Sequence, residues 1–106
     1  MKKMPNVSCE FRGAKAPSHE QLDLSSRRIK LHLAQNVTLA RHRAGLTQLQ
    51  LAKAADLSRA TVHLIEAGIC DARLSTVARL AEALQLNALD LLTKELPAHP
   101  AGDAIG

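Results

Sequence analysis

Apolar side chains recur at helical spacing in the first half of this chain. The clearest stripe consists of Ile29, Leu33, Val37, Ala40 and Ala44. Intervals of three and four residues place such positions on one face of an α-helix. We therefore predict a helix over 26–43, capped by Ser25 or Ser26 and ended by Gly45.

Two short helices joined by a tight turn are predicted within the stretch 47–68. A capping box begins the first helix at Thr47, and that helix runs to Ala55. Asp56 is expected at the sharp turn, because Asp tolerates a left-handed backbone better than most residues other than glycine. Ser58 caps the second helix, and the glycine that closes the stretch ends it.

Two further helices are predicted downstream. The fourth has its own apolar stripe, which consists of Leu74, Val77, Ala78, Ala81 and Leu84. Asn87 caps a fifth, short helix, which ends before Pro97. Since every predicted element is helical, and abundant Leu and Ala favour helices over strands, we predict an all-α fold of five helices.

The length of the chain limits it to one small domain. It has 106 residues, of which 46% are hydrophobic, so most of the helical region must contribute to the core. We predict that the domain occupies 25–94. The segments on either side lack a sustained apolar period and contain Pro and Gly, which predicts a mobile N-terminal arm over 1–24 and a disordered C-terminal tail over 95–106.

Composition and motifs exclude several classes of function. A formal net charge of +4 is only a weak indication of a polyanionic partner. Cys9 and Cys70 lie far apart without a CxxC pair, so we expect no metal site and no disulfide, and free thiols fit a cytoplasmic protein. No apolar run approaches a membrane span. Motifs such as GxSxG, HExxH and the Walker loop are absent, so we expect no enzyme, no catalytic residue and no cofactor.

The central helix, turn and helix resemble a known family. This arrangement lets the first short helix lie across a phosphate backbone while the second enters the major groove. The matching segments are Arg41, 45–52 (GLTQLQLA), 54–58 (AADLS), 61–68 (TVHLIEAG) and 73–86 (RLSTVARLAEALQL). With these segments, residues 33–92 resemble the Cro/phage-repressor (Xre-type) family. The resemblance implies a compact, five-helix, lambda-repressor-like DNA-binding domain with flexible termini.

The resemblance also implies which residues face DNA. Gln48, in the first turn of the second helix, matches a position that contacts phosphate, and a helix N-terminus attracts anions. Arg59, Ala60 and His63 match base-contacting positions of the recognition helix, 59–67. Arg59 is suited to a bidentate contact with guanine. The remaining residues expected at the DNA surface are Thr47, Ser58, Thr61 and Arg73.

Two other positions are expected to act structurally. In the family, the positions of Arg41 and Glu66 form an ion pair between the first and third helices, which implies that the pair holds the recognition helix at its angle. Three positions depart from the pattern: Leu64 replaces a polar residue often found at the edge of the recognition helix, and Ile69 and Cys70 stand where Lys or Arg commonly contacts phosphate. Fewer cations predict a shallower dependence of DNA affinity on salt.

The predicted function is sequence-specific transcriptional regulation, as a repressor that binds double-stranded DNA. A homodimer is expected, because one recognition helix reads only a half-site. Four leucines are more than one face of the domain needs for its core. They either form the dimer interface or pack the last helix against the first, and they are Leu31, Leu39, Leu89 and Leu92. An antitoxin that binds a toxin protein and regulates its own operon is the alternative, since the RLSTV opening of the fourth helix resembles that group as well.

Overall fold

The structure, a computed structural model, describes residues 16–93 and Leu96. The elements in chain order are α1 (His19–Arg43), α2 (Gln48–Ala55), α3 (Arg59–Glu66), α4 (Leu74–Leu84) and a 3-10 helix (Ala88–Leu92). No strand occurs in this part of the chain, so the prediction of an all-α fold is confirmed. Apart from Leu96, the predicted C-terminal tail after 94 lies outside the described residues, as does the predicted arm before 16.

The last element differs from the predicted fifth α-helix. Asn87 caps it as expected, since its side chain accepts a hydrogen bond from the Leu89 amide at 2.9 Å. The Asp90 amide then bonds back to the Asn87 carbonyl at 2.9 Å, which is the spacing of a 3-10 turn. A segment of five residues is too short to form several α-helical hydrogen bonds, so it adopts the tighter 3-10 conformation instead of an α-helix.

The first helix begins at His19 rather than at residue 26. Ser18 caps it through a capping box: the Ser18 hydroxyl accepts from the Gln21 amide at 3.1 Å, and the Gln21 side chain accepts from the Ser18 amide at 2.9 Å. Residues 19–24, which the sequence pattern assigned to the N-terminal arm, therefore form the first turns of α1. Apolar periodicity missed them because they have no core to contact.

The core lies where the five elements meet. Its largest fully buried side chains are Val37, Leu51, Val62, Ile65, Leu80 and Leu91. The predicted stripes are correct at most positions, but Ile29, Ala44, Leu74 and Ala78 are exposed. Of the four excess leucines, Leu92 packs against the core, whereas the other three are exposed.

One buried polar residue joins the two ends of the fold. The Asn36 side chain on α1 donates to the carbonyls of Leu91 at 2.9 Å and Thr93 at 2.8 Å, with a longer contact of 3.4 Å to Asp90. The carbonyls of Leu91 and Thr93 lie at the end of the 3-10 helix, where the helix itself supplies no donors. Asn36 therefore caps that element from across the core.

Two helices end at residues with a left-handed backbone. Asp56 follows α2 with φ 58° and ψ 48°, which confirms the conformation predicted for it. Its neighbour Leu57 donates back to the Ala52 carbonyl at 2.8 Å and packs on the core. Gln85 follows α4 with φ 59°, and it has no short polar side chain to favour that conformation.

The left-handed backbone at Gln85 predicts an unusual effect of glycine. Gln85→Gly should raise the free energy of unfolding by about 0.5–1 kcal/mol, because glycine adopts a positive φ without the usual steric cost. Ala78→Gly, at an exposed interior position of α4, is the control and should lower it by about 1 kcal/mol. Chemical denaturation measures both variants. Equal losses from the two substitutions would contradict the strained conformation.

Candidate nucleic-acid interface

Local capping bonds set where α2 and α3 begin. The Thr47 hydroxyl accepts from the Gln50 amide at 3.1 Å, and the Gln50 side chain accepts from the Thr47 amide at 2.8 Å. Ser58 caps α3 by accepting from the Thr61 amide at 3.1 Å, and the hydroxyls of these two residues lie 2.8 Å apart. Both helix starts are therefore fixed by side chains within three residues of the cap.

One face of α3 is buried and the other faces out. Val62 and Ile65 lie in the core, so helical spacing directs Arg59, Ala60 and His63 to the opposite side, where all three are exposed. The structure thus brings the three predicted base-contacting residues onto one open face. Thr61 lies at the edge of this face and is half-buried.

A buried ion pair connects the far end of α3 to α1. The Arg41 guanidinium donates to Glu66 through Nε at 2.7 Å and through Nη2 at 3.0 Å, and these side chains are only 13% and 7% exposed. A third donor, Nη1, bonds the Leu46 carbonyl at 2.8 Å, in the loop before α2. Arg41 therefore contacts both the recognition helix and the segment that leads into α2.

Gln48 completes the network around Glu66. Its side-chain nitrogen donates to Glu66 Oε1 at 3.0 Å, and the residue is half-buried. The sequence predicted Gln48 only as a phosphate contact, and this second role requires the tertiary structure to be seen. Because the Thr47 cap takes the amide of residue 50, the amides of residues 48 and 49 are the ones that α2 itself leaves without helical partners.

The network also fixes the charge of the carboxylate. Burial by itself would raise the pKa of Glu66, but hydrogen bonds from Arg41, Gln48 and Thr38, together with the Arg41 charge, outweigh it and lower the pKa. The hydrogen bond to Glu66 is the main reason that the pKa of Arg41 is raised. Both partners are therefore charged at neutral pH.

Two further arginines lie at the start of α4 and within it. Arg73 is the N-cap residue of α4; it is exposed, and its side chain makes no capping bond. Arg79, which the sequence did not single out, donates to the Asp56 carbonyl at 3.2 Å and so connects α4 to the turn between α2 and α3. A basic residue beside a turn carbonyl has no local sequence signal, so only the fold reveals it.

The three departures from the family pattern are placed differently, and the first, Leu64 on α3, is 41% exposed. Ile69 is exposed just beyond α3. Cys70, a free thiol, is half-buried against the core and does not present its side chain to solvent as a cation would. In the part of the chain that the structure describes, no cluster of His, Cys, Asp or Glu is arranged to hold a metal ion, and no helix is both long and apolar enough to span a bilayer.

Comparison with known proteins identifies similar sequences and structures. A model of the helix-turn-helix domain family matches residues 32–93, more than half of the chain. The restriction-modification controller protein C.AhdI from Aeromonas hydrophila is 29% identical, with a TM-score of 0.57 over 58% of this chain and 94% of that one. The hypothetical transcription factor NHTF from Neisseria is also 29% identical, with a TM-score of 0.61 over 76% and 86% of the two chains.

A third structure is similar in fold alone. It is an HTH_3 family transcriptional regulator from Vibrio cholerae, 21% identical, with a TM-score of 0.59. The match covers 63% of this chain but only 37% of that regulator. No curated protein matches the chain.

The buried network predicts the effect of removing its carboxylate. Glu66→Ala should lower the free energy of unfolding by about 3 kcal/mol, because it leaves the buried donors of Arg41 and Gln48 without their acceptor. Thermal and chemical unfolding measure the loss. The control is Glu82→Ala, an exposed glutamate on α4 that should change stability by no more than about 0.5 kcal/mol. An unchanged melting curve for Glu66→Ala would contradict a stabilising pair.

The lowered pKa of Glu66 predicts the pH dependence of this effect. A carboxyl whose pKa falls on folding contributes stability above its unfolded value, about 4.5, and loses that contribution as the pH falls through the folded value. The difference in unfolding free energy between the wild type and Glu66→Gln should therefore be constant near neutral pH and shrink between about pH 5 and pH 3. Denaturation at several pH values measures it, and a difference independent of pH would argue against the shift.

Proposed function

Because the chain belongs to the helix-turn-helix domain family, whose model matches it over residues 32–93, we propose that it is a sequence-specific transcriptional regulator of double-stranded DNA, acting as a repressor. The observation that supports this function is the open face of α3, with Arg59, Ala60 and His63 exposed together. The opposite face of the same helix is anchored in the core, so the three side chains share one rigid support.

In the proposed complex, α3 lies in the major groove and reads bases. Arg59, in the first turn, supplies a bidentate contact to guanine. Ala60 contacts a thymine methyl group. His63, one turn further on, donates to a base or a phosphate.

The start of α2 and the caps supply contacts to the backbone. The amides at the start of α2 and the Gln48 side chain bind a phosphate, while the bond from Gln48 to Glu66 fixes the distance between that phosphate and α3. The remaining proposed phosphate contacts are Thr47, Ser58, Thr61 and Arg73. Such contacts set the register of the protein on the duplex and carry no base information themselves.

The regulator is proposed to act as a homodimer, since one α3 covers only a half-site. A two-fold dimer places two recognition helices on successive turns of the major groove, about 34–36 Å apart. The neighbours at 29% identity are described as a controller and a transcription factor, and this favours a regulator over the antitoxin alternative. Copurification of a toxin protein with this chain would favour the alternative.

Selection of bound duplexes from a random DNA pool tests the proposed function. We expect enrichment of a two-fold repeated site, because each copy of α3 reads one half of it. Absence of any enriched duplex at low salt would contradict DNA binding itself.

Substitution of Arg59 then tests the readout. Arg59→Ala should weaken binding to the enriched site by roughly tenfold or more and relax the preference at one base position, because a bidentate contact discriminates by about 1–3 kcal/mol. The control is Lys53→Ala, which removes an equal charge from an exposed position on α2 outside the proposed DNA contacts. Equal losses from both variants would show a general charge effect instead of base readout.

A further inference from the structure

The first half of α1 extends past the rest of the fold. Every residue over 19–29 is exposed, although the segment is fully helical and begins with the Ser18 capping box. At 1.5 Å per residue these turns rise about 16 Å. An isolated helix of this length is marginal in water, and most helical stability in proteins comes from the packing of one face. The segment therefore presents a helix face that no described residue covers.

Two apolar side chains define that face. Leu22 and Ile29 are seven residues apart, lie on the same side of α1 as the buried Leu33, and are each 51% exposed. Ser25 and Ser26 lie between them, and side chains this small allow close approach of another helix. Leu22 and Ile29, with the two serines between them, form the α1 seam.

A groove opens beside the second residue of the α1 seam. It has a volume of about 380 Å³, and the charged residues Lys30 and Asp71 line it together with apolar side chains that include Ile29, Leu33, Leu74, Val77 and Leu92. Leu74 contributes an exposed apolar surface, since it is 80% accessible. The groove is thus suited to receive an apolar side chain from a helix that lies along the α1 seam.

Charges along the segment indicate which helix fits. Glu20 and Asp23 occupy its first turns, whereas Arg27, Arg28 and Lys30 follow. If two copies of this segment lay side by side in parallel, like charges would be adjacent. In antiparallel orientation, charges of opposite sign would be adjacent. Asp23 and Lys30 are also seven residues apart and share one flank of the α1 seam, so antiparallel copies would form this pair twice.

We propose that a second copy of this chain binds the α1 seam in antiparallel orientation. Leu22 of each copy lies opposite Ile29 of the other and enters the groove beside it, while Asp23 faces Lys30 of the partner subunit. The α1 seam is the dimer interface of the proposed regulator. The inference rests on the proposed function only for the reason that a dimer is needed, and the position of the interface is argued from α1 itself. Because the segment belongs to the N-terminal half of α1 and Glu66 pairs with the C-terminal half at Arg41, the contact leaves α3 open.

Sedimentation of the full chain without DNA tests the proposal. The wild type should form dimers between about 10 and 200 μM, and Leu22→Ser should raise the dimer dissociation constant at least about tenfold, because each dimer loses two buried leucines. The matched control is Leu24→Ser, since Leu24 is 50% exposed on the opposite side of the same helix. It should change the constant by less than about twofold, and melting curves check that both variants remain folded.

Charge exchange gives a second, independent readout. Asp23→Lys should weaken the dimer by opposing two lysines, and adding Lys30→Asp should restore it, whereas a purely local effect on the helix would not be reversed. Failure of that rescue, or equal effects of Leu22→Ser and Leu24→Ser, would overturn the proposal.

A wild type that remains monomeric at about 200 μM would also overturn it, whether residues 1–15 or another protein covers the face. The DNA experiments are separable from this test. If the proposed interface is wrong, DNA binding that depends on Arg59 is still observed. If the proposed DNA binding is wrong, the dimer mass measured by sedimentation is unaffected.

Discussion

The position of the candidate DNA-reading surface depends on one carboxylate, that of Glu66. It lies at the end of α3 and accepts hydrogen bonds from Arg41 on α1 and Gln48 on α2. A carboxylate with only 7% of its side chain exposed is costly to bury unless it is paired and hydrogen-bonded. This cost favours one relative placement of the three helices, because a shift of any one of them would separate the Glu66 carboxylate from its donors.

The same network relates two kinds of proposed contact. Gln48 lies in the first turn of α2, where phosphate is proposed to bind, and Glu66 lies at the end of the helix proposed to read bases. Their 3.0 Å bond sets the spacing between these surfaces within the protein. The open face of α3 then depends on ordinary burial, because Val62 and Ile65 anchor the helix from behind. Specific reading of a rigid duplex requires both a fixed spacing and a fixed rotation of the helix.

Features encoded by neighbouring residues were predictable from the sequence. The caps at Thr47 and Ser58 and the left-handed turn at Asp56 are local, and the predicted resemblance to the Cro/phage-repressor (Xre-type) family is confirmed by the helix-turn-helix match. Contacts across the core were not predictable. The caps that Asn36 supplies to the 3-10 helix join residues more than fifty positions apart. The start of α1 was missed although its Ser18–Gln21 capping box is local, because the prediction relied on apolar periodicity, which reports burial that those turns lack.

Backbone amide chemical shifts, followed by NMR while the full chain is titrated with its enriched duplex, locate the surface of the protein that contacts DNA. We expect the largest changes at residues 47–49, at the start of α2, and at 58–64, along the exposed face of α3. The first turns of α1 should change little at constant dimer fraction. Large changes confined to α1 or α4, with α3 unaffected, would contradict a DNA-reading surface built on the Glu66 network.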